Sequence, residues 1–227
     1  MKLPDEGFLK MSSNVARNAP SPEMERLLAL GREAVEKSRG RLIFALDATM
    51  SRQPMWDMAC TLQGKMFDAV GGSLSVQLIY FRGLDECKAS RWANSSRELM
   101  ATMTMIRCRA GHTQIEKVLR HARKEATTGP VKAMIFVGDA CEESIDQLAP
   151  PATELGQAQV PVFLFQEGND ARTERAFREI ARLSGGVWAP FDAGSAKRLG
   201  ELMRVAAQFS AGNTKAIEEL KKIALLR

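Results

Sequence analysis

"RLIFALDATMS", residues 41–51, starts as an unbroken apolar run and ends in three oxygen-bearing side chains at alternate positions, Asp47, Thr49 and Ser51. Apolar residues at successive positions, without in–out alternation, mark a strand covered on both faces of a sheet. The same kind of run returns in "LSVQLIYF" 74–81, "KAMIFVGD" 132–139, "VPVFLF" 160–165 and "GVWAPF" 186–191. Between these runs lie amphipathic stretches at 55–70, 96–106, 113–126, 171–184 and 195–209, and one at 143–157 that Pro150 and Pro151 are expected to break. Doubly covered strands alternating with helices predict an α/β fold: a doubly wound, mainly parallel sheet with helices on both faces.

One interval departs from the alternation. "RGLDECKASRWANS", after the second strand, is too short and polar for a crossover helix, and its alternating Cys87, Ala89 and Arg91 predict a short antiparallel strand at the sheet edge. Ahead of the first strand, Ser21 can cap and Pro22 can open a lead-in helix over 21–40, with Met24, Leu27, Leu28 and Val35 on one face and Gly40 as its stop. Residues 1–20 have no periodicity and read as a mobile tail. The expected organisation is a tail at 1–20, a helix at 21–40, the α/β domain at 41–211, and a C-terminal amphipathic helix at 212–227 with Ile217, Leu220, Ile223 and Ala224 on one face.

With 227 residues, 45% of them hydrophobic, the chain can bury a continuous core. No apolar run approaches the ~20 residues of a membrane helix, and acids and prolines stand where a signal peptide has its apolar stretch, so a cytoplasmic location is expected. Cys60, Cys87, Cys108 and Cys141 have no C-x-x-C pair and no His at zinc spacing, so reduced thiols are expected. The net charge of +5 permits an acidic partner without requiring one.

In an open parallel sheet, ligands bind at the carboxyl ends of the strands. Asp47, Thr49 and Ser51 stand at one such end, Asp139 at another, and Thr113 follows a glycine at the start of a predicted helix. Two carboxylates and three hydroxyls are hard oxygen donors, which select Mg²⁺ or Mn²⁺, with Ca²⁺ next, over zinc or copper.

These residues resemble the metal-ion-dependent adhesion site of von Willebrand factor A domains: a D-x-[ST]-x-S element, then a Thr, then an Asp. Asp47-Ala48-Thr49-Met50-Ser51 is similar to the first element, Thr113 in "GHT" to the second and Asp139 in "FVGD" to the third. The resemblance covers roughly residues 40–210. Thr49 stands where Ser is commoner, His112 replaces a glycine, and Ala140 stands where Gly is frequent; the ligand oxygens are kept. The resemblance implies Thr49, Ser51 and Thr113 as direct ligands, with Asp47 and Asp139 bound directly or through water. It also implies a protein-interaction module without enzymatic activity, whose partner supplies an Asp or Glu carboxylate to the metal, with a ring ATPase as the candidate partner of a cytosolic bacterial-like member.

Other readings are weaker. A phosphoryl-transfer hydrolase of the haloacid dehalogenase type needs D-x-D-x-[ST], and Thr49 stands at the second acid. Neither G-x-G-x-x-G after the first strand nor G-x-x-x-x-G-K-[ST] is present. Lys117, Arg120, His121 and Lys124 form a basic stripe at helical spacing, but the scattered Trp56, Trp92 and Trp188 give no stacking platform. The stripe therefore reads as a solvated helix surface, with nucleic acid not expected as a partner.

Overall fold

The computed structural model describes residues 22, 24–27, 29–30, 39–49, 52–192 and 195–225. The chain divides into two units, Met1–Ser38 and Arg39–Arg227. In the first, residues 22, 24–27 and 29–30 are helical; the expected tail at 1–20, the cap Ser21, and Leu28 and Val35 lie outside the described residues.

The second unit runs β1 (Gly40–Asp47), α1 (Gln53–Leu62), α2 (Gly64–Asp68), β2 (Leu74–Arg82), β3 (Glu86–Ala93), α3 (Ser96–Met103), α4 (Ile115–Thr128), β4 (Val131–Gly138), α5 (Ile145–Gln157), β5 (Val162–Glu167), α6 (Ala171–Ser184), β6 (Val187–Phe191), α7 (Ala196–Ser210) and α8 (Ala216–Leu225). Among the described residues the sheet has six strands in the order β3-β2-β1-β4-β5-β6, parallel except for β3, which pairs antiparallel with β2 at one edge. The doubly wound α/β architecture with an antiparallel edge strand is the one expected from the strand pattern.

Successive side chains on a strand point to opposite faces, and β1 is buried on both. Leu42, Phe44 and Leu46 enter the core beneath α1, α2, α3, α7 and α8, whereas Ile43 and Ala45 enter the core beneath α4, α5 and α6. Gly40 is the first residue of β1, where a Cβ would lie 1.9 Å from the Ser210 carbonyl oxygen at the end of α7; residues 31–38, ahead of it, lie outside the described residues. Leu220 and Ile223 of α8 are buried in the first core, with Ile217 and Ala224 packed beside them.

The expected break at Pro150 and Pro151 does not occur, because α5 passes through both. Each proline removes a backbone donor, at a typical cost of about 3 kcal/mol in a helix interior. Two features oppose that cost. Ser144 and Gln147 form a reciprocal capping box at the first turn, and Leu148, Pro151, Ala152 and Leu155 are buried on the sheet-facing side. The stretch 55–70 also differs from a single helix, being α1 and α2 joined at Gln63, whose side-chain amide donates to Ser96 Oγ at 2.8 Å.

The strand order reverses between β1 and β4, which makes the gap beyond their carboxyl ends the switch point of the sheet. In register, Leu46 faces Val137, and Gly138 faces Gln166. Asp47, Asp139 and Glu167 therefore mark the ends of three neighbouring strands.

Candidate metal site

Asp47 is the last residue of β1 and is 3% exposed. The Thr49 backbone N–H donates to its Oδ1 at 2.7 Å, which closes the loop as a local turn. Burial is the main cause that raises the Asp47 pKa to about 6; the Thr49 contacts and Arg52 oppose the shift, and the Asp139 charge adds to it. Asp47 is thus a buried carboxylate whose charge is incompletely compensated. Ser51 lies outside the described residues.

Arg52 follows this loop as the N-cap residue of α1, and its side chain is 5% exposed. Its Nη1 lies 3.2 Å from Asp139 Oδ2 and also pairs with Glu167 Oε2. Among the described residues, its Nε and Nη2 are buried without a hydrogen-bond partner. Neither Arg52 nor Glu167 belongs to the motif read from the sequence. The visible signal for Glu167 was an acid closing the apolar run "VFLFQE", at the rim where every parallel strand ends.

Thr113 lies at the same side of the sheet, two residues ahead of α4, but its hydroxyl is engaged. It donates to Glu143 Oε2 and accepts from the Glu142 N–H at 2.9 Å, while the Thr113 N–H donates to Glu142 Oε2 at 3.0 Å. Glu143 Oε1 accepts from the Ile115 N–H and, at 3.4 Å, from the Glu116 N–H. A carboxylate from the β4–α5 loop thereby caps the free donors of α4. His112 Nδ1 meets Glu142 at 3.0 Å on the exposed side. Cys141 is buried, and burial pushes its thiol up to about 12, far from a reactive thiolate.

The oxygens fit a hard divalent cation in kind. Around Arg52, three carboxylates (Asp47, Asp139 and Glu167) face one guanidinium, which leaves two negative charges when all three acids are ionised. Among the described residues, no three His, Cys, Asp or Glu side chains converge closely enough to hold an ion by themselves. An ion at this rim would therefore need hydroxyl oxygens, which Thr49 and Thr113 carry.

The basic stripe on α4 does not face solvent throughout. Lys117 pairs with Asp85 and Arg120 with Glu116, whereas His121 is half-buried against β2, its Nε2 3.0 Å from Gln77 Oε1. The Gln77 amide nitrogen donates to Ser90 O, so Gln77 presents its oxygen and His121 Nε2 must carry the proton. Burial is the main cause that lowers the His121 pKa below the usual imidazole value. The folded state therefore holds this proton less tightly than the unfolded chain. Stability from His121 is complete above the unfolded value and is lost as pH falls below it. Urea denaturation at pH 7 and pH 5 should show a larger loss for the native sequence than for His121→Gln; equal losses would exclude a neutral buried His121.

No family model matches the chain, and no curated protein matches it in sequence. Its fold matches solved structures. A von Willebrand factor type A protein from Catenulispora acidiphila superposes with a TM-score of 0.65 at 15% identity, over 77% of this chain and 43% of that one. The vWF domain of the type V pili tip protein Mfa5 from Porphyromonas gingivalis gives 0.58 at 9% identity, over 74% and 93% of the two chains. Proximal thread matrix protein 1 from the mussel byssus, with a zinc-occupied MIDAS motif, gives 0.56 at 16% identity, over 83% and 52%. The chain spans less than half the length of the Catenulispora protein.

Proposed function

We propose that this chain, which has the von Willebrand factor A fold, is a metal-dependent protein-interaction module that takes an Asp or Glu carboxylate from a partner. The observation that carries this reading is Asp47, a carboxylate buried at the switch point of the sheet with its charge incompletely met. Asp47 and Asp139 would supply the negative charge, and Thr49, Ser51 and Thr113 the neutral oxygens, for Mg²⁺ or Mn²⁺. When bound, the ion supplies an open coordination position and an incompletely neutralised charge that attracts an anionic oxygen. Thr113 would have to exchange its Glu143 acceptor to take part.

The surroundings favour an acidic partner. Residues 104–112 carry exposed Arg107, Arg109 and His112 and no acid; Arg109 lies 3.8 Å from Glu86, and His112 already meets Glu142. This loop is tied to the site where the Arg109 N–H donates to Ala48 O at 3.0 Å, and to the β2–β3 hairpin where the His112 N–H donates to Gly83 O at 3.1 Å. Exposed Met105 and Leu84 offer apolar contacts on the loop and hairpin. Complementary charge of this kind steers encounter and sets register. A cytosolic setting and a ring-ATPase partner fit the same reading, as does the lack of an acid at Thr49 for phosphoryl transfer.

Calorimetric titration of chelator-stripped protein with Mg²⁺, and paramagnetic titration with Mn²⁺, should show one site that is lost in Asp47→Ala and in Asp139→Ala. Partner capture in Mg²⁺ should be reversed by EDTA and weakened by Thr49→Ala and Thr113→Ala with native circular dichroism. Unchanged metal binding in both aspartate variants, or a partner retained in EDTA, would sink the reading.

A further inference from the structure

Arg52 occupies a position that local preferences oppose. It is the N-cap residue of α1, where a side-chain oxygen is favoured, yet it makes no capping bond, and the first turn holds no acid. A cation at a helix N-terminus also faces the positive end of the backbone dipole. Its guanidinium is nonetheless buried, with Nε and Nη2 unpartnered among the described residues. A buried donor without an acceptor is unfavourable. Against all of this stand the two carboxylates it joins, Asp139 and Glu167, at the ends of adjacent strands. A local rule broken at a strand-end cleft is the usual mark of a functional position.

We propose that Arg52 is the resident cation of this rim and competes with the divalent ion for Asp139. The inference rests on the reading of the rim as a divalent-cation site and concerns what sets its affinity. Arg52 Nη1 holds Asp139 Oδ2 at 3.2 Å, so one of the two Asp139 oxygens open to an incoming ion is already occupied by positive charge. Taking up the ion means loosening the Arg52–Asp139 pair and leaving the guanidinium on Glu167, its other partner. Through Asp139 and Glu167 together, Arg52 bridges the ends of β4 and β5. Arg52 thus lowers metal affinity and makes occupancy responsive to ion concentration, because each cation weakens the binding of the other by one reciprocal factor.

The test is calorimetric titration of the full chain with Mg²⁺ and Mn²⁺ after chelator treatment, in the native sequence, in Arg52→Met, and in Arg52→Met with Glu167→Gln. The double variant removes one charge of each sign, so it keeps the net charge of the rim if the single variant folds poorly. Competition of this kind typically corresponds to roughly 5- to 150-fold in affinity. The Mg²⁺ dissociation constant should therefore fall by about tenfold or more in Arg52→Met, and fall in the double variant too. If the native protein binds and both variants bind with the same constant, the competition is wrong while the metal-site reading stands. If only the variants bind, the competition is supported in its strongest form and ion dependence of the native protein is overturned. Absence of binding in all three proteins overturns both.

Discussion

Replacing Arg52 by methionine destabilises the metal-free protein by about 3–5 kcal/mol, the range for removing one partner of a buried ion pair. Methionine preserves much of the buried volume, so the loss comes from charge. Asp139 and Glu167 are left side by side, and Asp47 loses the Arg52 charge that opposes its raised pKa. Adding Glu167→Gln should recover a large part of the loss, since the two groups act together and their effects do not add. Mg²⁺ should also stabilise Arg52→Met by more than it stabilises the native sequence. Urea denaturation in EDTA measures the first two effects. A loss below about 1 kcal/mol, the value of an exposed ion pair, would show that the guanidinium is not held as described.

Asp47→Asn has the opposite sign. Burial raises the carboxyl from 3.8 to about 6, and two pKa units correspond to roughly 3 kcal/mol. An acid whose folded pKa is raised carries a penalty that is complete above the folded value and is relieved as pH falls from about 6 towards the unfolded value. In EDTA at pH 7 the asparagine variant should therefore be more stable by roughly 2–3 kcal/mol, or roughly 5–10 °C in Tm. The Asn oxygen can still accept from the Thr49 N–H, so the turn is kept. The gain should narrow as pH is lowered to 4, and the variant should no longer respond to Mg²⁺. An asparagine variant less stable than the native protein in EDTA at pH 7 would mean that the Asp47 charge is already satisfied. A buried acid that weakens the fold while it would help to hold a cation follows the usual opposition of stability and function.

The strands and the aspartates at their ends were legible in the sequence, because burial on both faces writes an uninterrupted apolar run and a parallel sheet sends every carboxyl end to one rim. The continuity of α5 was not. Pro150 and Pro151 are strong local signals, whereas the burial of Leu148 and Leu155 that outweighs them depends on tertiary packing. Arg52 was missed for a related reason: an arginine after a loop reads as solvated, and only strand register brings Asp139 and Glu167 to it. The engagement of Thr113 by Glu142 and Glu143 rests on contacts about 30 positions apart, beyond the reach of spacing rules. His121 was read as surface because the stripe containing it is basic; the half-buried side of that helix became visible only with Gln77 beneath it.

Asp47, Asp139 and Glu167 end three consecutive strands, and strands in a sheet repeat every ~4.8 Å. The rim is therefore a comb of acids with the pitch of the sheet. Asp47 and Asp139, at one gap of this comb, would hold the proposed ion. The long fork of an arginine suits the neighbouring gap. Asp139 is the tooth shared by the gaps towards β1 and β5, so the proposed competition between a metal and the guanidinium would be decided at this one side chain.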